Sequence, residues 1–185
     1  AGKLFLASEE YNEMANVINA LERIAPEDER TWALSGKFYY AVDNKWEAKL
    51  NFKKLCDAKT SDSTIWYLYG LLIHDENPEE AIKFFKKACK LGPEHGLYHF
   101  RLAESLYLIG EDCSVPLSEA EALEPNNGWV FNLKALCAID EDAFFDAQIE
   151  IEKARKMLPD EIVILENYVE VMRLQGRLKE CAPLF

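Results

Sequence analysis

The stretch Asn77-Pro78-Glu79-Glu80-Ala81-Ile82-Lys83-Phe84-Phe85-Lys86-Lys87-Ala88-Cys89-Lys90-Leu91-Gly92-Pro93 decides the fold. Ala81, Phe85 and Ala88 stand at spacings of four and three, so they share one stripe of a helix that packs closely on a partner. Pro93 ends the element, because proline lacks an amide donor and disfavours helix in the residue before it. Four stretches of the chain repeat this pattern at a spacing near 34 residues. A period of that length marks a small supersecondary unit that cannot bury its apolar face alone and must stack on its neighbours. Arrays of this kind present surfaces far more often than they perform chemistry.

The register is fixed twice. Trp32 and Trp66 are 34 residues apart, and so are Pro125 and Pro159. Aligned on these marks, the first helix of each unit carries Trp32, Trp66, His99 or Phe131, with histidine as the departure. Four residues later comes a small residue, Gly36, Gly70, Ala103 or Ala135, which predicts close approach of the paired helices. Second helices carry Ala48, Ala81 and Ala147, then Phe52, Phe85 and Ile151, then Leu55, Ala88 and Ala154. Prolines 26, 93, 125 and 159 terminate units.

These residues resemble the tetratricopeptide repeat family, with its W, L-G, Y, A, F, A and P positions. Trp32, Gly36, Tyr39, Ala48 and Phe52 match one unit, and Trp66, Gly70, Ala81, Phe85, Ala88 and Pro93 match the next. Ala135, Ala147, Ala154 and Pro159 match a later one. The resemblance covers nearly the whole chain. It implies an all-α solenoid of antiparallel helix pairs, a right-handed superhelix of about five and a half repeats.

The pattern predicts helices over 11–24, 28–42, 45–58, 62–75, 78–91, 95–109, 114–123, 127–140, 143–157, 161–175 and 177–185. No linker or low-complexity tract interrupts them, so residues 1–185 read as a single array. Residues 1–7 read as the last turns of a preceding helix, and Phe185 falls where the second-helix aromatic of a sixth unit belongs. The expectation is a fragment of a longer array. Residues 97–125 form the most divergent unit, with a short second helix holding Cys113 and Leu117 where alanine and an aromatic are usual. With Ser114 as N-cap, Pro116 lies in the first turn, where a missing amide costs little.

The net charge of −12 argues against nucleic acid and against insertion into or onto an anionic membrane. Cys56, Cys89, Cys113, Cys137 and Cys181 form no CxxC motif and are expected to be reduced thiols in a cytoplasmic protein. No signal peptide or membrane-length apolar run is visible. His95 and His99 have a metal-ligand spacing without a third ligand, so no metal site is expected. Asp140-Glu141-Asp142 lacks the glycine and alternating oxygens of a calcium loop, and helix-start electrostatics explains such acids. Phosphate loops, G-x-S-x-G elbows and H-E-x-x-H pairs are missing, so neither catalysis nor a cofactor is expected.

The resemblance also implies a concave groove lined by first-helix residues one, five and eight places after the aromatic marker. Those places hold Ala33, Lys37 and Tyr40; Tyr67, Leu71 and His74; Phe100, Glu104 and Tyr107; Asn132, Leu136 and Ile139; and Glu166, Glu170 and Arg173. Arg101 and Trp129 join them. Tyr40, Tyr67, Phe100, Tyr107 and Trp129 would offer a stacking strip to a peptide, with Lys37, Arg101 and His74 setting register. The carboxylate clamp by which part of the family grips chaperone tails is missing, since its Lys and Asn places hold Ala33, Lys37 and Leu68. The reading is a non-enzymatic module that binds a peptide or helical segment of a protein partner. Its alternatives are a chaperone shielding an apolar secretion or assembly substrate, and a regulatory or localising domain of a multidomain enzyme.

Overall fold

The computed structural model describes residues 2–184, and the side chains of residues 11–181. Among the described residues there are ten α-helices and no strand. They are α1 Gly2–Ile24, α2 Glu29–Ala41, α3 Lys45–Asp57, α4 Ser63–His74, α5 Pro78–Leu91, α6 Gly96–Leu108, α7 Ser114–Leu123, α8 Gly128–Asp140, α9 Phe144–Met157 and α10 Ile162–Leu174. A 3-10 segment, Leu178–Leu184, follows. The fold is the expected all-α stack of helix pairs, about five repeats. The packing resolves two compact units, Ala1–Gly92 and Pro93–Phe185. In the first, α2 pairs with α3 and α4 with α5; in the second, α6 pairs with α7 and α8 with α9.

Helix starts are set by short polar side chains. Asp28, Asn44, Asp62, Asn77 and Asn127 each accept a hydrogen bond from an amide two or three residues on, and so satisfy donors the helix leaves orphaned. Helix ends obey a rule that the amino-acid letters conceal. Asp43, Lys59, Gly110, Asp142 and Gly176 have φ between 57° and 74°. In each case the next residue's amide donates back five residues: Asn44 to Tyr39, Thr60 to Leu55, Glu111 to Leu106, Ala143 to Ala138 and Arg177 to Met172. This is the left-handed Schellman stop, which glycine fits without a Cβ penalty.

The predicted close approach is borne out at two glycines. A Cβ on Gly36 would stand 2.6 Å from Phe52 Cε1, and one on Gly70 2.6 Å from Phe85 Cε1. Where alanine replaces glycine, at Ala103 and Ala135, the second helix carries Leu117 and Ile151 in place of phenylalanine. All four of these side chains are buried. Small and large thus vary together between units so that the filled volume stays close to native packing density.

The marker aromatic does a second job. Trp32 Nε1 donates to the Pro26 carbonyl at 2.7 Å and Trp66 Nε1 to the Thr60 carbonyl at 2.9 Å, each six residues back. His99 Nε2 reaches the Pro93 carbonyl at 3.0 Å over the same interval. The histidine therefore keeps the ring N–H that ties the inter-unit turn to the helix, while Phe131 keeps only the apolar ring, 5 % exposed.

Several expectations are corrected. The separate N-terminal turn over residues 1–7 is instead the start of one continuous helix, Gly2–Ile24. In place of the α-helix expected from residue 177, Leu178–Leu184 is a 3-10 segment. The expectation for Phe185 lies outside the described residues. The N-cap of α7 is Cys113, not Ser114, and Cys113 makes no cap bond. Asp112 Oδ1 instead accepts from the Ser114 amide at 2.9 Å.

Candidate partner-binding face

In the first unit, α2 and α4 place the expected side chains unequally. Tyr40 is 37 % exposed, with its ring centroid 6.3 Å from that of buried Phe52. Tyr67 and Leu71 are half-buried, and Tyr67 leans on Phe85 at 6.1 Å. His74 is buried, 8 % exposed, and meets the same Phe85 edge-on at 6.0 Å. Phe85 thus brings Tyr67 and His74 together, and His74 has little surface to offer a ligand. Lys37 Nζ donates to Asp62 Oδ2 at 3.2 Å, tying α2 to the N-cap of α4. Burial pushes the Asp62 carboxyl up, but the bond and charge of Lys37 and the Thr64 amide outweigh it and hold it below its usual 3.8.

In the second unit, Phe100 is 5 % exposed, so its ring is withdrawn from the expected strip. The Arg101 guanidinium covers it at 5.5 Å and pairs with Glu104 at 2.6 Å, leaving Arg101 and Glu104 half-buried. Asn132 is also buried: its Oδ1 accepts from Asn167 Nδ2 at 2.8 Å, joining α8 to α10. The place one residue after the marker is here a seam between successive first helices. Trp129 and Ile139 are partly buried against the core formed by Phe131, Ile151, Tyr168 and Met172. Leu136 is half-buried. Tyr107 is half-buried and donates to Asp140; burial first, then that acid, pushes its phenol up to about 12.

A cleft of about 630 Å³ opens in the second unit beside Tyr107, bounded by the turn after α6 and by α7, α8 and α9. Lys134 sits in it, bonded to Glu121 of α7 at 2.9 Å and to Glu150 of α9 at 3.3 Å. Cys113 and Cys137 line the same cleft with their sulfurs 3.5 Å apart. The sequence gives no cue for that pairing, because the two cysteines lie 24 residues apart in different units. A second feature missed in the sequence was legible there. Trp46 with Leu50, and Phe145 with Ile149, stand two before and two after the small residues Ala48 and Ala147 of their second helices. Trp46 is 75 % exposed and Phe145 72 %.

Among the described residues, no group of three His, Cys, Asp or Glu could hold a metal ion, and no helix is long and apolar enough to cross a membrane. His95 precedes α6 as its N-cap residue, beside Glu94 and the Tyr98 ring, while His99 is spent on Pro93.

No family model matches the chain. A curated relative from Treponema pallidum (strain Nichols), named TPR repeat-containing protein, is 42% identical over 198 residues, covering 100% of this chain and 24% of the relative. The chain thus spans about a quarter of that relative's length. Among solved structures, YrrB, described as a TPR protein with an unusual peptide-binding site, superposes with a TM-score of 0.75 at 17% identity, over 89% of this chain and 86% of its own. PilW, described as a widely conserved type IV pilus biogenesis factor, gives 0.74 at 16% identity over 96% and 84%. MamA gives 0.71 at 18% identity over 84% and 86%. The marker bonds at Trp32, Trp66 and His99, the small-on-large packing of each helix pair and these likenesses lead to one conclusion: the chain belongs to the tetratricopeptide repeat family.

Proposed function

We propose that the chain is a non-enzymatic protein-interaction module that holds a peptide or helical segment of a partner against its first helices. The observation that carries this reading is the set of rings left accessible there. Tyr40 and Tyr67 lie on α2 and α4, and Tyr107 and Trp129 on α6 and α8, each incompletely buried, and α4 and α8 also carry the half-buried Leu71 and Leu136. Such rings supply contact area at low entropy cost and anchor most interfaces. Peptide binding by a protein of like fold supports the reading. Specificity would come from the few polar groups beside the rings, of which Lys37 and Glu104 already have partners to exchange.

The test is affinity capture with the immobilised chain, its partner identified by mass spectrometry, repeated with Tyr40, Tyr67 and Trp129 together changed to Ala. The variant should lose the partner captured by the wild type while keeping its helical circular dichroism. Undiminished capture would exclude the first-helix face.

A further inference from the structure

We propose that Cys113 and Cys137 are a modification site, oxidised by a peroxide to an intramolecular disulfide that staples the start of α7 to α8. The geometry carries it. The two sulfurs lie 3.5 Å apart and need to move only about 1.5 Å closer to bond. Cys113 belongs to the turn between α6 and α7 and Cys137 to the third turn of α8, so the bond joins two consecutive units through side chains alone. Both residues line the 630 Å³ cleft, which gives a small neutral oxidant a route to sulfurs that are otherwise covered. Cys56, Cys89 and Cys181 are free, buried and outside that cleft.

The local structure gives the bond something to do. α7 is the shortest of the ten described helices at 10 residues, and Cys113 occupies its N-cap without making a capping bond. A covalent tie at that position removes the freedom of the turn to open. The surroundings slow the first attack, because thiolate is the form that attacks peroxide, and favour the disulfide once it has formed. Burial, contact with Cys113, and then Asp140 and Glu141 push the Cys137 thiol up to about 12. The reduced state therefore lacks the thiolate stabilisation that makes a disulfide easy to reduce. Glu111, Asp112, Asp140, Glu141 and Asp146 around the cleft, whose Lys134 is already paired to Glu121 and Glu150, repel anionic disulfides such as oxidised glutathione, which leaves neutral peroxide as the favoured reagent.

The chemistry closes in two steps. One sulfur attacks an oxygen of hydrogen peroxide, the O–O bond breaks, and the products are a sulfenic acid and water. The second sulfur displaces the sulfenic oxygen, the S–S bond forms, and a second water leaves with the remaining thiol proton. Two electrons pass from the sulfurs to the peroxide.

The test exposes the whole chain to hydrogen peroxide, blocks the remaining thiols under denaturing conditions and digests with trypsin without reductant. Lys134 lies between the two cysteines, so cleavage separates peptides 102–134 and 135–153 unless the disulfide holds them. The expected result is that cross-linked pair, released by dithiothreitol, absent from Cys113→Ser and from Cys137→Ser, and not mixed in isotope when labelled and unlabelled chains are oxidised together. Hydrogen exchange of the α7 amides should also slow several-fold on oxidation. Sulfinic acid at either cysteine without a cross-link, isotope-mixed dimers, or a link persisting in the serine variants would overturn the pairing. A cross-link that leaves α7 exchange unchanged would overturn the staple.

Discussion

Gly70 is the position where a single methyl group tests the packing argument. Its added carbon would lie 2.6, 2.9 and 3.1 Å from Cε1, Cδ1 and Cζ of Phe85, against about 3.5–4.0 Å for comfortable carbon contact. The ring is fully buried and held between Tyr67 and His74, so it cannot swing clear. Gly70→Ala should therefore cost about 1–3 kcal/mol in overpacking, offset by about 1 kcal/mol of improved helix propensity. The net expectation is a loss of about 1 kcal/mol. Phe85→Leu alone leaves a void and should cost roughly 1.5 kcal/mol. Combined, the two changes copy the Ala103 and Leu117 pairing that this chain already uses. The double variant should be within about 0.5 kcal/mol of wild type, a coupling near 2 kcal/mol. Guanidinium unfolding followed by circular dichroism at the four corners of the cycle measures it. Additivity within about 0.3 kcal/mol would refute the idea that each small residue is matched to its own large partner.

His99→Phe should cost about 1 kcal/mol through loss of the bond to the Pro93 carbonyl, while His99→Trp, which keeps a ring N–H, should be nearly neutral in thermal unfolding. Asp142→Gly, at φ 59°, should stabilise by about 0.5–1 kcal/mol, since glycine relieves the left-handed turn without touching the Ala143 bond; an unchanged or lowered midpoint would count against strain there. Asp62 has a folded-state pKa below its usual 3.8, so its contribution is fully present above that value and is lost as pH falls through the lower one. The stability gap between wild type and Asp62→Asn should therefore be constant near neutrality and close in acid; a gap that persisted at pH 2 would deny the Lys37 and capping explanation.

What the sequence by itself determined is the part of the molecule governed by local rules. The 34-residue register, the stripe of Ala81, Phe85 and Ala88, and the bounds of α5 and α7 follow from periodicity, prolines and short polar caps acting within one helix or one turn. The small residues at Gly36 and Gly70 were readable for the same reason, because each stands four places after its marker tryptophan, Trp32 or Trp66. Helix ends were only half legible: Gly110 and Gly176 advertise a left-handed stop and Asp43 and Asp142 are of a type that tolerates one, while Lys59 adopts it without any signal in the letter. Tertiary structure alone decided how much of each expected binding residue reaches the surface. Tyr40 stays open while Phe100, His74 and Asn132 are covered; Phe85 of α5 meets His74 and Asn167 of α10 meets Asn132, while Phe100 is buried with the neighbouring Arg101 guanidinium over its ring. It also decided that Cys113 and Cys137 meet. Proximity between residues of different units depends on how far one helix pair is displaced along the next, a quantity set by side-chain packing between the pairs and not by any one helix's periodicity.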